Sequence, residues 1–489
     1  MLTCQLTRRC LLRPEASRCV VLPLVVISQR GFGISRKRCA PATALRTAQA
    51  HGHAGTATPE EPRASQQQVL YISSIWPERS SSAAGVRTSD ILTAFQSWGW
   101  SVAYVSSARP NAHSELLAAQ GCRTFSCLPN READFAAVLQ QVHPSICVFD
   151  RFYAEEAFSF RVRELAPQAL RVVDMQDMHF LREGRQAAAK AGSSIAEIMA
   201  VCPDATSANA LRELASIYRS DLTLVCSPAE MSLLLLHYQI PACKLLPAPF
   251  FMPPPPRPAQ LPAFHDRKHF VTLGNFRHPP NMDSVRWLHD QVWPLMRKRL
   301  DDPAVELHVY GAAITGAAQQ LNRPKQGFLV KGRAASLDVL RDYRVCLAPL
   351  RFGAGLKGKI ADSWAHGLPV VTTSVGSEGM QVEGKPWGGV AEANDAERFA
   401  EQAAELYLDA EAWRQAQAAG LDLLGELYDQ DSNLAALKAG FKQALSRMER
   451  HRQVDLIGAI LWTQQMRSTE YFSRWIEMKE TAQNGQVPV

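Results

Sequence analysis

What the sequence lacks narrows its class before any motif is read. No stretch approaches the ~18 consecutive apolar residues of a membrane-spanning helix; the best, residues 19–27, is short and interrupted by Pro23. The eleven cysteines form no Cys-x-x-Cys pair and no His–Cys grouping at zinc spacing, so no metal site is expected. An overall basic field is missing too. The formal charge is +6, but residues 1–50 hold nine basic residues against Glu15 alone, which leaves the remainder at −2 and excludes a general nucleic-acid binder. What is present is ordinary: 489 residues, 46% hydrophobic and 20% charged, enough for two or three globular domains and unlike a disordered, collagenous or disulfide-scaffold chain. A soluble body without a membrane span is expected.

Residues 1–65 read as a targeting leader and linker, Arg-rich, nearly acid-free and trailing into an Ala/Thr/His/Gly stretch. Arg30-Gly31-Phe32-Gly33-Ile34-Ser35 resembles a mitochondrial presequence processing site, so a mitochondrial location is expected; a disordered basic tail and a secretory signal are the rival readings. The seven body cysteines sit largely in apolar runs, as buried thiols of a reducing compartment would. At the other end, residues 455–478 place apolar residues close to a helical period, read as a helix packed back on the body, with a partner-binding or membrane-surface helix as the alternative.

Between these ends, short β-branched runs alternate with amphipathic stretches. Residues 69–72, 101–105, 145–150, 170–174 and 222–226 read as strands of a parallel sheet. Prolines from Pro247 to Pro262 then suggest a stiff linker. The alternation resumes with strands at 269–273, 306–310, 345–350 and 369–373. Two tandem Rossmann-like, doubly wound α/β domains facing an interdomain cleft are expected. Their bounds are 66–250 for an N-terminal acceptor-side domain, 251–264 for the Pro-rich linker, 265–447 for a C-terminal domain and 448–489 for a helical extension. Ligands of such sheets bind at the carboxyl ends of the strands.

The most informative stretch is Gly353-Ala354-Gly355-Leu356-Lys357-Gly358-Lys359, read as a glycine loop between a strand and a helix. Glycines let backbone N–H groups approach an anion, the helix N-terminus adds a positive dipole end, and Lys359 adds a full charge, together a diphosphate cradle. Asp362, on the same helix face as Lys359, can accept hydrogen bonds from a ribose diol. The simpler reading is a tight turn. The loop also matches the dinucleotide fingerprint Gly-x-Gly-x-x-Gly, with Glu378 about twenty residues beyond, but that fingerprint normally opens its domain, and this one does not.

The run 349–379, with its Gly-x-Gly-x-x-Gly-Lys loop, Gly367-Leu368-Pro369-Val370-Val371-Thr372 and Gly376-Ser377-Glu378-Gly379, resembles the donor-site signature of family 4 (group 1) glycosyltransferases. Gly274-Asn275-Phe276-Arg277-His278 resembles the opening strand and loop of the same enzymes' nucleotide-binding domain, and residues 173–185 and 219–230 resemble segments of their first domain. The resemblance implies the GT-B fold, a nucleotide-sugar donor held by the C-terminal domain, an unidentified acceptor on the N-terminal domain, and transfer with retention and without a metal or cofactor. It implies that Lys359 and Arg277 hold the diphosphate with Gly353 and Gly355, that Asp362 holds the ribose, that Gly274 lies on the donor side, and that Gly85 lies against donor phosphate or acceptor. Many members carry two glutamates eight residues apart; eight before Asp362 stands Ala354, so the usual sugar-contacting acid is missing.

Departure of a nucleoside diphosphate develops negative charge, which fixed cations stabilise, so Lys359 and Arg277 are expected to be catalytic as well as binding. Asp177 and His179 are the candidates for acceptor-side roles, against a helix cap and a core histidine respectively. Glu378 is either a cap or a donor-sugar contact. A non-catalytic GT-B relative, an NAD-dependent dehydrogenase, and an epimerase or hydrolase of the same fold remain alternatives.

Overall fold

A computed structural model describes residues 66–79 and 82–483, so the leader and Ser80 and Ser81 lie outside the described residues. Seven strands form the first sheet: β1 (Gln68–Ser73), β2 (Ser101–Ser106), β3 (Arg123–Ser126), β4 (Ile146–Asp150), β5 (Leu170–Asp174), β6 (Leu222–Val225) and β7 (Leu245–Pro247). Their order is β3-β2-β1-β4-β5-β6-β7. Six form the second: β8 (Lys268–Asn275), β9 (Leu307–Ala312), β10 (Phe328–Gly332), β11 (Tyr343–Ala348), β12 (Val370–Thr372) and β13 (Gly389–Val390), ordered β10-β9-β8-β11-β12-β13. Every pairing in both sheets is parallel. The central strands are buried on both faces, as the continuous run Val69-Leu70-Tyr71-Ile72 requires. This is the doubly wound, two-domain GT-B architecture.

The strand order reverses between β1 and β4 and again between β8 and β11, and these two crevices are where ligands of such sheets bind. β3, β7, β10 and β13 are not in the sequence reading. All four lie at sheet edges, where no long apolar run is needed; β3, β7 and β10 each carry exposed residues, and β13 is only two residues long. Pro247, read as part of the linker, ends edge strand β7, a position where its missing N–H does not interrupt the ladder. The helix read from residue 89 begins earlier, at Ala83, because the Ser82 hydroxyl accepts a hydrogen bond from Gly85 N–H and caps it.

The last two helices return to the first sheet. Within the Gln430–Val454 helix, Leu437 and Phe441 join the core around Phe95 and Tyr104, although residues 430–447 were expected to complete the C-terminal domain. The Leu456–Gln483 helix docks through Trp462 and Met466 on Phe160, and Trp462 Nε1 donates to the Arg219 carbonyl at 2.7 Å. Of the body cysteines, Cys122, Cys127, Cys147, Cys226 and Cys346 are buried, with burial raising their thiols. Cys202 and Cys243 depart from the expectation: both are exposed, and Cys243 Sγ lies 2.9 Å from His451 Nε2.

Candidate active site

The carboxyl ends of the two sheets face each other. After β11 the chain runs through the glycine loop into the Gly358–Ala365 helix, and it approaches the first domain so closely that added side chains would collide. A Cβ on Gly355 (φ 68°) would lie 2.9 Å from Asp177 Cβ, and one on Gly358 would lie 2.7 Å from Ala83 Cβ. After β12, Gly379 meets Ser227 in the same way. The glycines therefore serve close interdomain approach as well as any ligand.

The second-domain wall holds the charges expected to meet a donor. The Gly358–Ala365 helix has no side-chain cap, which leaves its N-terminal dipole end for an anion. Lys359 Nζ donates to Asn281 Oδ1 at 2.8 Å, a neutral partner, and burial lowers its pKa to about 8. Asn281 is in turn pressed on Gly274: a Cβ there would sit 2.7 Å from the Asn281 side chain, which explains the glycine at the end of β8. Asp362 lies one turn beyond Lys359, its carboxyl without a partner among the described residues and raised to about 7 by burial. Arg277 extends into solvent with no side-chain partner among the described residues, while its N–H donates to Asn275 Oδ1. The pKa of neighbouring His278 is lowered to about 4 by desolvation and by the charges of Arg182 and Lys359.

The first-domain wall is a network of paired charges. Arg87 joins Asp174 at 2.5 Å, Tyr71 OH donates to the same carboxylate, and Ser73 Oγ and Arg151 donate to Asp150. Asp177 is paired with Arg182, which helps hold its carboxyl below the ordinary range although burial pulls the other way. His179 Nδ1 lies 3.2 Å from Glu213 Oε1, and its ring packs edge-on against Phe152 and Tyr153. Burial lowers its pKa, but Glu213 and Asp177 outweigh it and the net shift is upward. Gly85 is not open to a ligand through its N–H, which Ser82 takes, and a Cβ there would strike the Glu78 backbone at 2.4 Å.

Two groups unrecognised in the sequence bridge the walls. Arg185 grips Glu378 bidentately at 2.6 and 2.7 Å and donates to the Gly353 carbonyl at 2.9 Å. Glu230 Oε1 accepts from Met178 N–H and from Gly355 N–H, both at 2.8 Å. Burial and the nearby Asp177 raise the Glu230 carboxyl, and burial lowers Lys357, whose Nζ turns inward onto the Gly355 carbonyl. Glu378 is thus an interdomain ion-pair partner following the short Ser374–Ser377 helix, not a cap ahead of a helix. The sequence signal for both bridges was an isolated acid in each quoted segment, which alone gives no partner. Among the described residues no group of three or more His, Cys, Asp and Glu is placed to hold a metal ion.

Residues 267–409 match the family described as Glycosyl transferases group 1. A curated relative, an uncharacterized 44.6 kDa protein in the cps region of Klebsiella pneumoniae, is 25% identical over 139 residues, a match spanning 25% of this chain and 35% of the relative. The chain therefore aligns with about a third of that relative's length. Three solved structures share the fold. A glycosyltransferase from Rickettsia africae has a TM-score of 0.57 at 11% identity, with 78% of this chain and 99% of that one covered. The Anabaena protein HepE in complex with UDP and glucose gives 0.55 at 12% identity, over 77% and 100%. Sucrose-phosphate synthase from Thermosynechococcus elongatus gives 0.54 at 13%, over 78% and 100%. The chain has the fold of the GT-B glycosyltransferases, and the family match lies within its second domain.

Proposed function

We propose that this chain is a retaining, metal-independent glycosyltransferase of family 4, moving a sugar from a nucleotide-sugar donor to an acceptor held by the first domain. The observation that carries the reading is the pairing of an uncapped helix N-terminus with Lys359 and, one turn on, the unpartnered carboxyl of Asp362. A diphosphate would complete the first two and a ribose diol the third. The match of residues 267–409 to group 1 glycosyl transferases, and the UDP-glucose complex of the Anabaena protein with this fold, support the same assignment.

In this reading Lys359 and Arg277 stabilise the charge that develops on the departing diphosphate, and Gly353 and Gly355 bring the loop close to it. His179 serves the acceptor side through Nε2, its Nδ1 being engaged by Glu213. Asp177, held by Arg182 and pressed on Gly355, positions the loop. A non-catalytic role is the second reading, favoured by Ala354 and by Glu230, which already takes the Gly355 N–H. The dehydrogenase reading is weaker because the fingerprint follows β11, the fourth strand of its domain.

A thermal-shift screen of UDP-, GDP- and ADP-sugars, with NAD and NADP as controls, tests the assignment. Stabilisation by one nucleotide-sugar that is lost in Lys359→Ala is the expected result. Stabilisation by NAD alone would hand the site to a dehydrogenase, and no shift with any ligand would favour the non-catalytic relative. We also assign residues 1–65 as a mitochondrial leader on their arginine-rich, acid-poor composition; a cytosolic pattern for the full chain bearing a C-terminal fluorescent tag would refute it.

A further inference from the structure

The Leu456–Gln483 helix is docked by its less apolar side. Trp462, Met466, Glu470 and Ser473 face the body, where Glu470 pairs with Arg163 and Ser473 Oγ donates to Asn130. The opposite side exposes Leu456, Ile457 and Ile460 near its start and Tyr471, Phe472, Trp475 and Met478 near its end, each 51–70% exposed. At about 100° per residue these seven fall within an arc of roughly 160°. Surface helices normally show the reverse pattern, and exposed apolar groups gathered on one face mark an interaction site.

Three observations identify the occupant. The two patches lie on one face of one helix, separated by roughly 20 Å at ~1.5 Å per residue, a spacing that suits a flat surface. The middle turns between them present Gln464, Arg467 and Ser468, and Lys479 lies 5.1 Å over the Trp475 ring, while the helix's three acids, Glu470, Glu477 and Glu480, fall outside the arc. The face is therefore apolar and cationic without an acid. Finally, Phe472 and Trp475 stack with centroids 5.9 Å apart beside Tyr471, the aromatic composition that settles at headgroup depth. A second copy of this face would oppose cation to cation.

We propose that the outer face of the Leu456–Gln483 helix lies on an anionic phospholipid surface, holding the protein at a membrane without spanning it. No helix among the described residues is long and apolar enough to span, and an interfacial helix needs only one apolar, cation-flanked side. The groove of about 460 Å³ between Ile457, Leu461, Leu211 and Tyr238 continues the apolar surface from the start of the helix. This inference is independent of the transferase reading.

The test is flotation of the full chain with phosphatidylcholine–phosphatidylglycerol vesicles and with phosphatidylcholine alone, comparing wild type with Tyr471→Ser/Phe472→Ser/Trp475→Ser. The expected result is binding to the anionic vesicles, weakened by salt, and at least ~10-fold lower partition for the triple variant at an unchanged melting temperature. Because the basic leader can itself bind anionic lipid, tryptophan quenching by brominated phosphatidylcholine in the same vesicles reads the helix directly. Quenching in wild type that is lost in Trp475→Phe supports the proposal. Equal quenching in the two proteins overturns it, as does a dimer in light scattering that the triple variant abolishes.

Discussion

The two walls of the cleft treat charge in opposite ways. On the first-domain wall the ions are matched: Arg87 with Asp174, Arg151 with Asp150, Arg182 with Asp177, and His179 with Glu213. Across the cleft, Asp362 and Arg277 have no partner among the described residues and Lys359 touches only the amide of Asn281. Half-buried Lys359 and Asp362, the one on a neutral amide and the other without a partner among the described residues, and solvent-facing Arg277 are open to the charged partners that the proposed donor would bring. The matched wall satisfies its own charges, and in the proposed reading the unmatched one is where donor binding energy is gained.

Breaking a bridge between the walls should have the largest effect. Arg185→Ala strands Glu378 between the domains, and a loss of about 3–5 kcal/mol in urea unfolding is expected; a cost below ~1 kcal/mol would mean the latch is not structural. Next comes Lys359→Ala, expected to lower turnover by about 10²–10³ while leaving the melting temperature near that of wild type. Retained activity would remove the diphosphate assignment.

Asp362→Asn should weaken donor binding by about 10- to 100-fold, as loss of a charged hydrogen-bond partner does. Its stability signature runs the other way. Burial raises this carboxyl to about 7, so the folded state holds the proton more tightly than the unfolded chain does. That contribution is complete below the unfolded carboxylate range and is lost as pH rises towards 7. The variant should lack that decline in a pH series of melting temperatures. In wild type, donor affinity should peak between about 7, where Asp362 ionises, and about 8, where Lys359 loses its charge. A flat titration across that interval would show that neither group meets the ligand. Gly274→Ala should have the smallest effect, about 1 kcal/mol of strain as its Cβ displaces Asn281 and with it the anchor of Lys359. It would appear as a few-fold rise in the donor dissociation constant.

The unmatched wall was the legible one. A glycine loop, a lysine and an acid one turn on are contiguous in sequence, and their chemistry follows from local geometry at a strand–helix junction. The bridges between the walls were opaque because they span long separations: Arg185 to Glu378 and Glu230 to Gly355 are contacts between domains, and no spacing rule connects them. The parallel sheets were read from their buried central strands, while β3, β7, β10 and β13 escaped because short or half-polar edge strands carry little apolar signal. Asp177 and Gly85 were noticed as residues, but what each touches depends on a neighbour supplied by the fold.

The return of the Gln430–Val454 helix to the first sheet has a consequence for biosynthesis. Leu437 and Phe441 fill a gap beside Phe95 and Trp100, so the first sheet has no complete cover when its own last strand leaves the ribosome. Roughly 190 further residues must be made before that cover exists, about 10–40 s at ~5–20 residues per second. During that interval the nascent first half exposes its apolar face, and the domain first in sequence is finished last.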